Sequence, residues 1–306
     1  MRELSELTGL STAAVSYALR GERVSPQTAE RVRREADRIG FRSDPVARAL
    51  RGGRTGTVGV VGGSLADYWH QEFVSHLGRA LRVNDLQLLL ADADGDPAAE
   101  LALAQELADR RVDGLVVLPL DPAAPGWRRI ARDTPTVSVN ESLPRPARAI
   151  RFASAAGIDL ALGHLAARGH REIAVLGAGP HRIPRRAGVR RTRCGPSPGE
   201  AEHASHRLLT AQARRPTAIF ALSDSIAYGA YAAARELDLA IPADVAVLGF
   251  DDHPVSRLLD PPLTAVGWDT RAAAVAAAEM IAAAVAGEGP AAEVVINPVL
   301  AVRSST

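Results

Sequence analysis

"GLSTAAVSYALRG", residues 9–21, reads as a short helix set between two glycines. Its outer face carries mostly small uncharged groups, Thr12, Ala13 and Ser16, and only Tyr17 and Arg20 reach far from the axis. Surface helices are ordinarily covered with charged side chains, so a face this bare is shaped for close approach to a partner. The inner face places Val15, Ala18 and Leu19 at i, i+3 and i+4, the spacing of a buried stripe. Upstream, Arg2–Thr8 reads as a helix with Leu4 and Leu7 inward; Gly9 stops it, Leu10 plugs the turn, and Ser11 caps the next helix. Downstream, Ser25-Pro26 is a cap followed by proline at the first helical position. It opens a third helix with Ala29, Val32, Ala36 and Ile39 on one stripe and a stop at Gly40.

Charge separates this head from the rest of the chain. The 306 residues carry a formal net charge of +1, but residues 1–55 hold 11 Arg against 7 acidic residues, leaving the remainder slightly acidic. A basic head suggests an anionic partner. Two helices joined by a tight glycine-containing turn in a basic segment match a helix-turn-helix, whose second helix must fit a major groove about 12 Å wide. Small residues with a few hydrogen-bonding tips suit that groove, and Arg2, Arg23, Arg31 and Arg34 suit phosphates. A plain three-helix bundle with a solvated face accounts for the same helix pattern.

From residue 56 strand-like and helix-like runs alternate. The first series is "TVGVVGG", 69–83, "LQLLLAD", 97–111, "DGLVVLPL", a loop and helix, then "PTVSVN". The second is "IRFAS", 155–168, "EIAVLGAG", an irregular stretch, "TAIFALS", 224–237, "DVAVLGFDD" and "TAVGWD". A helix over 270–286 and "AEVVINPVLAVR" follow. Such alternation argues for two doubly wound parallel-sheet α/β subdomains with a cleft between them. No export signal opens the sequence, no apolar run approaches the roughly 20 residues of a membrane span, and the single Cys194 excludes an internal disulfide. These features predict a cytoplasmic protein with no membrane partner.

"LSELTGLSTAAVSYAL…VSPQTAERVRREADRIGFRSDPVARAL" resembles the head of the LacI family of bacterial transcription regulators. That family's pattern runs D-V-A-x-x-A-G-V-S-x-x-T-V-S-x-x-L-N, then V-S-x-x-T-x-x-x-V, then G-Y-x-P-N-x-x-A-R-x-L. Glu3 stands at the Asp, Gly9-Leu10-Ser11 at Gly-Val-Ser, Ala14-Val15-Ser16 at Thr-Val-Ser and Arg20 at the Asn. Two departures are visible: the family's cap for the first helix lies upstream of Met1, and Ala14 lacks the usual hydroxyl.

The resemblance implies a helix-turn-helix domain over 1–43, a hinge helix and linker over 44–55, and a periplasmic-binding-protein-like core over 56–306. The core would divide into an N-subdomain of about 56–150 plus 266–290 and a C-subdomain of about 151–265 plus the C-terminal strand. It implies base reading by Thr12, Ala13 and Tyr17, phosphate contacts from Ser11 and Ser16, and a minor-groove wedge at Leu50 with Ala47 beside it, while Arg20 joins the DNA-binding set as a tip on the same helix face. Leu50 also reads as an ordinary linker hydrophobe. For the core it implies effector contacts from Trp69 and His70 in "SLADYWHQEF", Arg185 in "RRAGV", Ser223 in "LSD" and Asp251 in "VLGFDD". Asp251 and Ser223 equally suit a turn and a helix cap. Partners would be double-stranded operator DNA, a small-molecule effector of carbohydrate type and a second copy in a homodimer, with no cofactor and no metal.

The stretch "HRIPRRAGVRRTRCGPSPGEAEHASHRLLTAQARR" is shorter than the family pattern by one strand at the sheet edge, with its aromatic, and the Arg-rich part reads as a loop. A regulator with a degenerate, effector-independent sensor is therefore one alternative. A periplasmic-type solute-binding protein is another, but it would need an export signal and would not carry the head. An enzyme is not supported. His164 and His170 lack metal-ligand spacing, "GAGP" is not a phosphate loop, and Cys194 has no partner base in reach of its motif.

Overall fold

A computed structural model describes residues 2–41, 54–177, 182–211, 215–289 and 293–306. The chain forms two compact units, residues 1–55 and 56–306. Residues 42–53, where the hinge helix with Ala47 and Leu50 was expected, lie outside the described residues.

The first unit holds α1 (Arg2–Thr8), α2 (Thr12–Arg20) and α3 (Pro26–Arg38). Leu4, Val15, Ala18, Val32 and Ala36 make its core, with Leu10 and Leu19 packed against it. Leu7, expected inward, is 46% exposed, and Thr8 takes the inner position instead. Thr8 can do so because its hydroxyl donates to the Leu4 carbonyl at 2.6 Å, which satisfies the buried oxygen within the helix. Ser11 caps α2 by accepting from the Ala14 amide, and Ser25 caps α3 by accepting from the Thr28 amide. Gly21 ends α2 at φ 72°, and the amide of Glu22 returns to the Tyr17 carbonyl, the hydrogen-bond pattern of a left-handed helix stop.

The second unit contains two six-stranded sheets. The first is built from β1 (Thr57–Gly62), β2 (Gln87–Asp92), β3 (Gly114–Val117), β4 (Thr136–Asn140), β5 (Arg148–Phe152) and β11 (Glu293–Ile296), in the order β11-β5-β4-β3-β1-β2. Every pairing in it is parallel. One face carries α4 (Tyr68–Val83) and α10 (Thr270–Ala286); the other carries α5 (Pro97–Asp109) and α6 (Gly126–Asp133). The second sheet is built from β6 (Ile173–Leu176), β7 (Val189–Thr192), β8 (Ala218–Ala221), β9 (Ala246–Asp251), β10 (Thr264–Gly267) and β12 (Val299–Ala301), in the order β12-β10-β9-β8-β6-β7. Only β12 runs antiparallel. On its faces lie α7 (Ser154–Ala167) and the pair α8 (Pro198–Leu209) and α9 (Asp224–Glu236). The two doubly wound α/β lobes expected from the alternation are therefore present.

Two expectations need correction. "IRFAS" does not open the second series: β5 pairs with β4 and β11 in the first sheet, and the chain crosses to the second lobe only after Phe152. Local periodicity marks a strand but carries nothing about which sheet receives it. The Arg-rich stretch is also not a loop throughout. Val189–Thr192 forms the edge strand β7, parallel to β6, and Pro198–Leu209 forms a capped helix. Between β6 and β7 the described residues, 182–188, are non-helical, so among the described residues it is the crossover helix, not the strand, that is lacking.

Candidate functional site

In the head, Ser11, Thr12 and Ala13 are exposed at the start of α2, with Ser16 and Tyr17 half-buried on the following turn. Arg20 is the last residue of the helix. Capping leaves the Ser11 hydroxyl hydrogen free, because Ser11 accepts rather than donates in the cap, so the same oxygen can cap the helix and donate outward. Arg23, at φ 51°, stacks over the Tyr17 ring and donates to its hydroxyl. Arg31 instead reaches back to the Thr8 carbonyl at the end of α1, and Arg2 pairs with Glu6.

In the second unit, open α/β sheets bind ligands beyond the carboxyl ends of their strands. A hollow with about 450 Å³ of open space lies there, lined from the first lobe by Asp67, Trp69, His70, Asn140 and Phe152, with Ser154 just past the crossing to the second. From the second lobe come Leu222, Phe250, Asp251 and Trp268. Each follows or ends a strand: β1, β4 and β5 on one side, β8, β9 and β10 on the other. The hollow thus brings together Trp69, His70 and Asp251 of the expected set.

Ser223 and Arg185 are not among its walls. Ser223 is buried and caps α9, its hydroxyl accepting from the Ile226 amide. Arg185 is exposed on the segment that lacks the crossover helix. With no helix to carry it back over the sheet, a motif position alone does not bring that side chain to the cleft.

The polar groups of the hollow are held firmly. Asp67 caps α4 by accepting from the Trp69 amide at 2.9 Å. His70 Nδ1 lies 2.6 Å from the Ser64 carbonyl, and since a carbonyl only accepts, Nδ1 carries the proton. Asp251 ends β9 at φ 119°, followed by Asp252 at φ 54°, and Asn140 ends β4 at φ 76°. Residues with side chains rarely adopt such angles, and three of them gather where two sheets point their strand ends at one another. Strain of this kind persists only where neighbours fix the loop. Beside Asp251 and Asp252 the fixing group is Asp224, whose Oδ2 accepts from the His253 amide at 2.7 Å and from the Ser256 hydroxyl at 2.5 Å. Burial pushes Asp224 up to about 7. Burial, together with the charges of Asp67 and Asp224, holds the Asp251 carboxyl well above its ordinary value, opposed by a hydrogen bond from Trp268.

Aromatic rings join the lobes. Trp268 packs edge-on against Phe152 of the first sheet at 5.1 Å and against Phe250 of the second at 5.3 Å. Tyr68 of α4 meets Tyr228 and His253 of the second lobe at 5.9 and 5.6 Å. Sequence reasoning passed over Asn140, Phe152, Ser154, Leu222, Phe250 and Trp268, and took Asp67 and Asp224 only as members of their motifs. Those lining the hollow share the signal of standing at or just beyond a strand end.

Comparison with known proteins accords with this arrangement. Residues 162–306 match the model of a periplasmic binding protein-like domain. The chain is 33% identical to the HTH-type transcriptional regulator reg1 of Streptomyces lividans over 335 aligned residues, which cover 100% of this chain and 96% of that protein. It is 27% identical to the ribose operon repressor of Escherichia coli, covering 87% of each. Among solved structures, the lac repressor dimer bound to operator and the anti-inducer ONPF matches with a TM-score of 0.83 and 23% identity, over 99% of this chain and 97% of that one. With a relative this similar along its whole length, the chain belongs to the LacI family of transcription regulators.

Proposed function

We propose that the protein is a transcriptional repressor that binds operator DNA as a homodimer and is modulated by a small hydroxylated effector in the cleft between its lobes. The observation that carries this reading is the exposed, small-residue face of α2 on a capped three-helix head, in the same chain as a two-lobed core with a hollow at its strand ends. Thr12, Ala13, Tyr17 and Arg20 read base edges, while Ser11 and Ser16 hold phosphates. Leu50 wedges into the minor groove beside Ala47, at a base step soft enough to unstack. Trp69, His70 and Asp251 hold the effector, and Trp268 couples it to both lobes. Effector binding counts as control only if the ligand binds the two DNA-affinity states differently.

Exposed apolar groups favour the dimer: Leu89 and Leu90 lie on the edge strand β2, and Leu258 is 82% exposed. No catalytic role is assigned. Burial and Glu200 push the Cys194 thiol up to about 11, away from the thiolate a nucleophile needs. His164 is engaged with the Thr306 hydroxyl at 2.8 Å. No helix among the described residues is long and apolar enough to cross a membrane, and a reader of DNA works in the cytoplasm.

The test is binding to DNA upstream of the protein's own gene and its neighbours, against scrambled DNA, at several salt concentrations. Specific binding at about 10⁻⁸ M or tighter supports the reading. Equal, weak and steeply salt-dependent binding to both DNAs overturns it, since phosphate attraction alone behaves that way.

A further inference from the structure

Arg31 suits a phosphate by its charge and exposure, yet its guanidinium is committed inside the head. Its Nη2 donates to the Thr8 carbonyl at 3.3 Å, between residues 23 apart in the chain. Thr8 is the last residue of α1 and Gly9 follows it at φ 65°, so this carbonyl finds no partner further along the helix. The last carbonyls of a helix carry its partial negative charge, and an arginine answers both that charge and the open lone pair. A second side chain closes the same turn, the Ser5 hydroxyl donating to the Leu10 carbonyl at 2.5 Å. Ser11, next in the chain, caps α2.

The helix that carries Arg31 also meets the far end of α2. Gly21 ends α2 in the left-handed region, and a Cβ there would lie 3.2 Å from Arg33 Nη2. α3 therefore frames α2 at both ends, with Val32 and Ala36 in the shared core. Apolar packing is non-directional and leaves helices free to slide, whereas a hydrogen bond to one carbonyl fixes their register. Base reading needs that register, because side chains must meet particular donors and acceptors in the groove. Attraction to phosphates needs it far less.

We propose that Arg31 is a positioning residue for base reading: through the Thr8 carbonyl it holds the turn between α1 and α2, and with it the angle at which α2 enters the groove. It does not count among the phosphate contacts. Arg34, one turn along α3, is exposed and makes no hydrogen bond or ion pair among the described residues, so it remains free for a phosphate. This inference rests on reading the head as a DNA reader.

Arg31→Ala and Arg31→Lys in the full chain test it, since lysine keeps the charge for a phosphate but reaches less far than Nη2 and lacks the planar fork. Each is titrated against the duplex upstream of the protein's own gene and a scrambled duplex of equal length, at several salt concentrations. The ratio of the two affinities is expected to fall about tenfold in both variants. Scrambled-DNA affinity in Arg31→Lys, the salt slope in both variants and the circular-dichroism melt should stay at the values of the unaltered protein. The Ala14 and Val15 amides, bonded to Ser11, should exchange with solvent about tenfold faster in both. A salt slope lower by about one in Arg31→Ala, with both affinities restored in Arg31→Lys, marks a phosphate contact and overturns the proposal. An unchanged ratio, unchanged amide exchange, or equal losses on both DNAs with a lowered melt overturns it as well. An unaltered protein that shows no preference between the duplexes fails the repressor reading instead. Amide exchange then decides alone, and unchanged rates in both variants sink the tether.

Discussion

The guanidinium of Arg23 lies 5.2 Å from the centre of the Tyr17 ring, and its Nη1 donates to the Tyr17 hydroxyl at 3.3 Å. An arginine expected on phosphate thus also orients a side chain expected on a base. Tyr17→Ala should weaken operator binding by about 1–3 kcal/mol and leave scrambled DNA almost unaffected. Arg23→Ala should weaken both DNAs and reduce the salt slope by about one. Anisotropy titrations on the two DNAs at several salt concentrations separate these outcomes. Equal losses on both DNAs for Tyr17→Ala would remove it from the base-reading set.

Ser11→Ala removes the cap of α2 and should cost about 1 kcal/mol of head stability. Hydrogen exchange of the α2 amides would rise while protection of β8 and β9 stays unchanged, since the core is a separate unit. Protection loss spread over both units would contradict the local role.

Two buried carboxyls set an inverted pH dependence. Glu100 in α5 is fully buried and pushed up to about 7 by burial, against hydrogen bonds from the Leu120 and Asp121 amides; Asp224 is pushed up to about 7 as well. Between their unfolded values and about 7 the folded state holds protons that the unfolded chain has released, so stability falls as pH rises through that window. Each displaced pKa unit is worth about 1.4 kcal/mol at most. Thermal melts should move down from about pH 5.5 to about pH 8 and level off above, and Glu100→Gln should flatten the slope. A melting temperature that rises over this range would contradict the assignment.

Trp268→Phe keeps a ring between Phe152 and Phe250 but deletes the N–H given to Asp251. The variant is expected to fold with near-native stability, bind operator normally and lose effector response. Operator titration with and without effector reads this directly. An intact response would mean that packing alone couples the lobes.

Much of this was legible beforehand, and the failures have physical reasons. Capped helices and strand–helix alternation leave strong local signatures, so "STAAVSYAL", "SPQTAERV" and "TVGVV" were read with their elements correctly placed. "VRRT" hid because an edge strand has one open side, and arginines at 190 and 191 break the apolar alternation that marks a central strand. Trp268 and Phe152 looked like ordinary hydrophobes near strand ends; only the meeting of two sheets turns them into walls. Arg185 matched a motif, but its position depends on the connection before it, which a motif does not contain.

The chain passes between lobes after Phe152, after Gly267 and again between Ile296 and Val299. β11 therefore closes the first sheet and β12 the second, while Ser305 and Thr306 are buried beneath β9 and β10, with the Ser305 hydroxyl donating to the Val247 carbonyl at 2.6 Å. During translation neither lobe can be completed until the stretch 293–306 has left the ribosome, whereas the head, drawn wholly from the first 55 residues, can form as soon as it emerges. A nascent chain of this protein carries a DNA reader well before it carries the sensor that governs it.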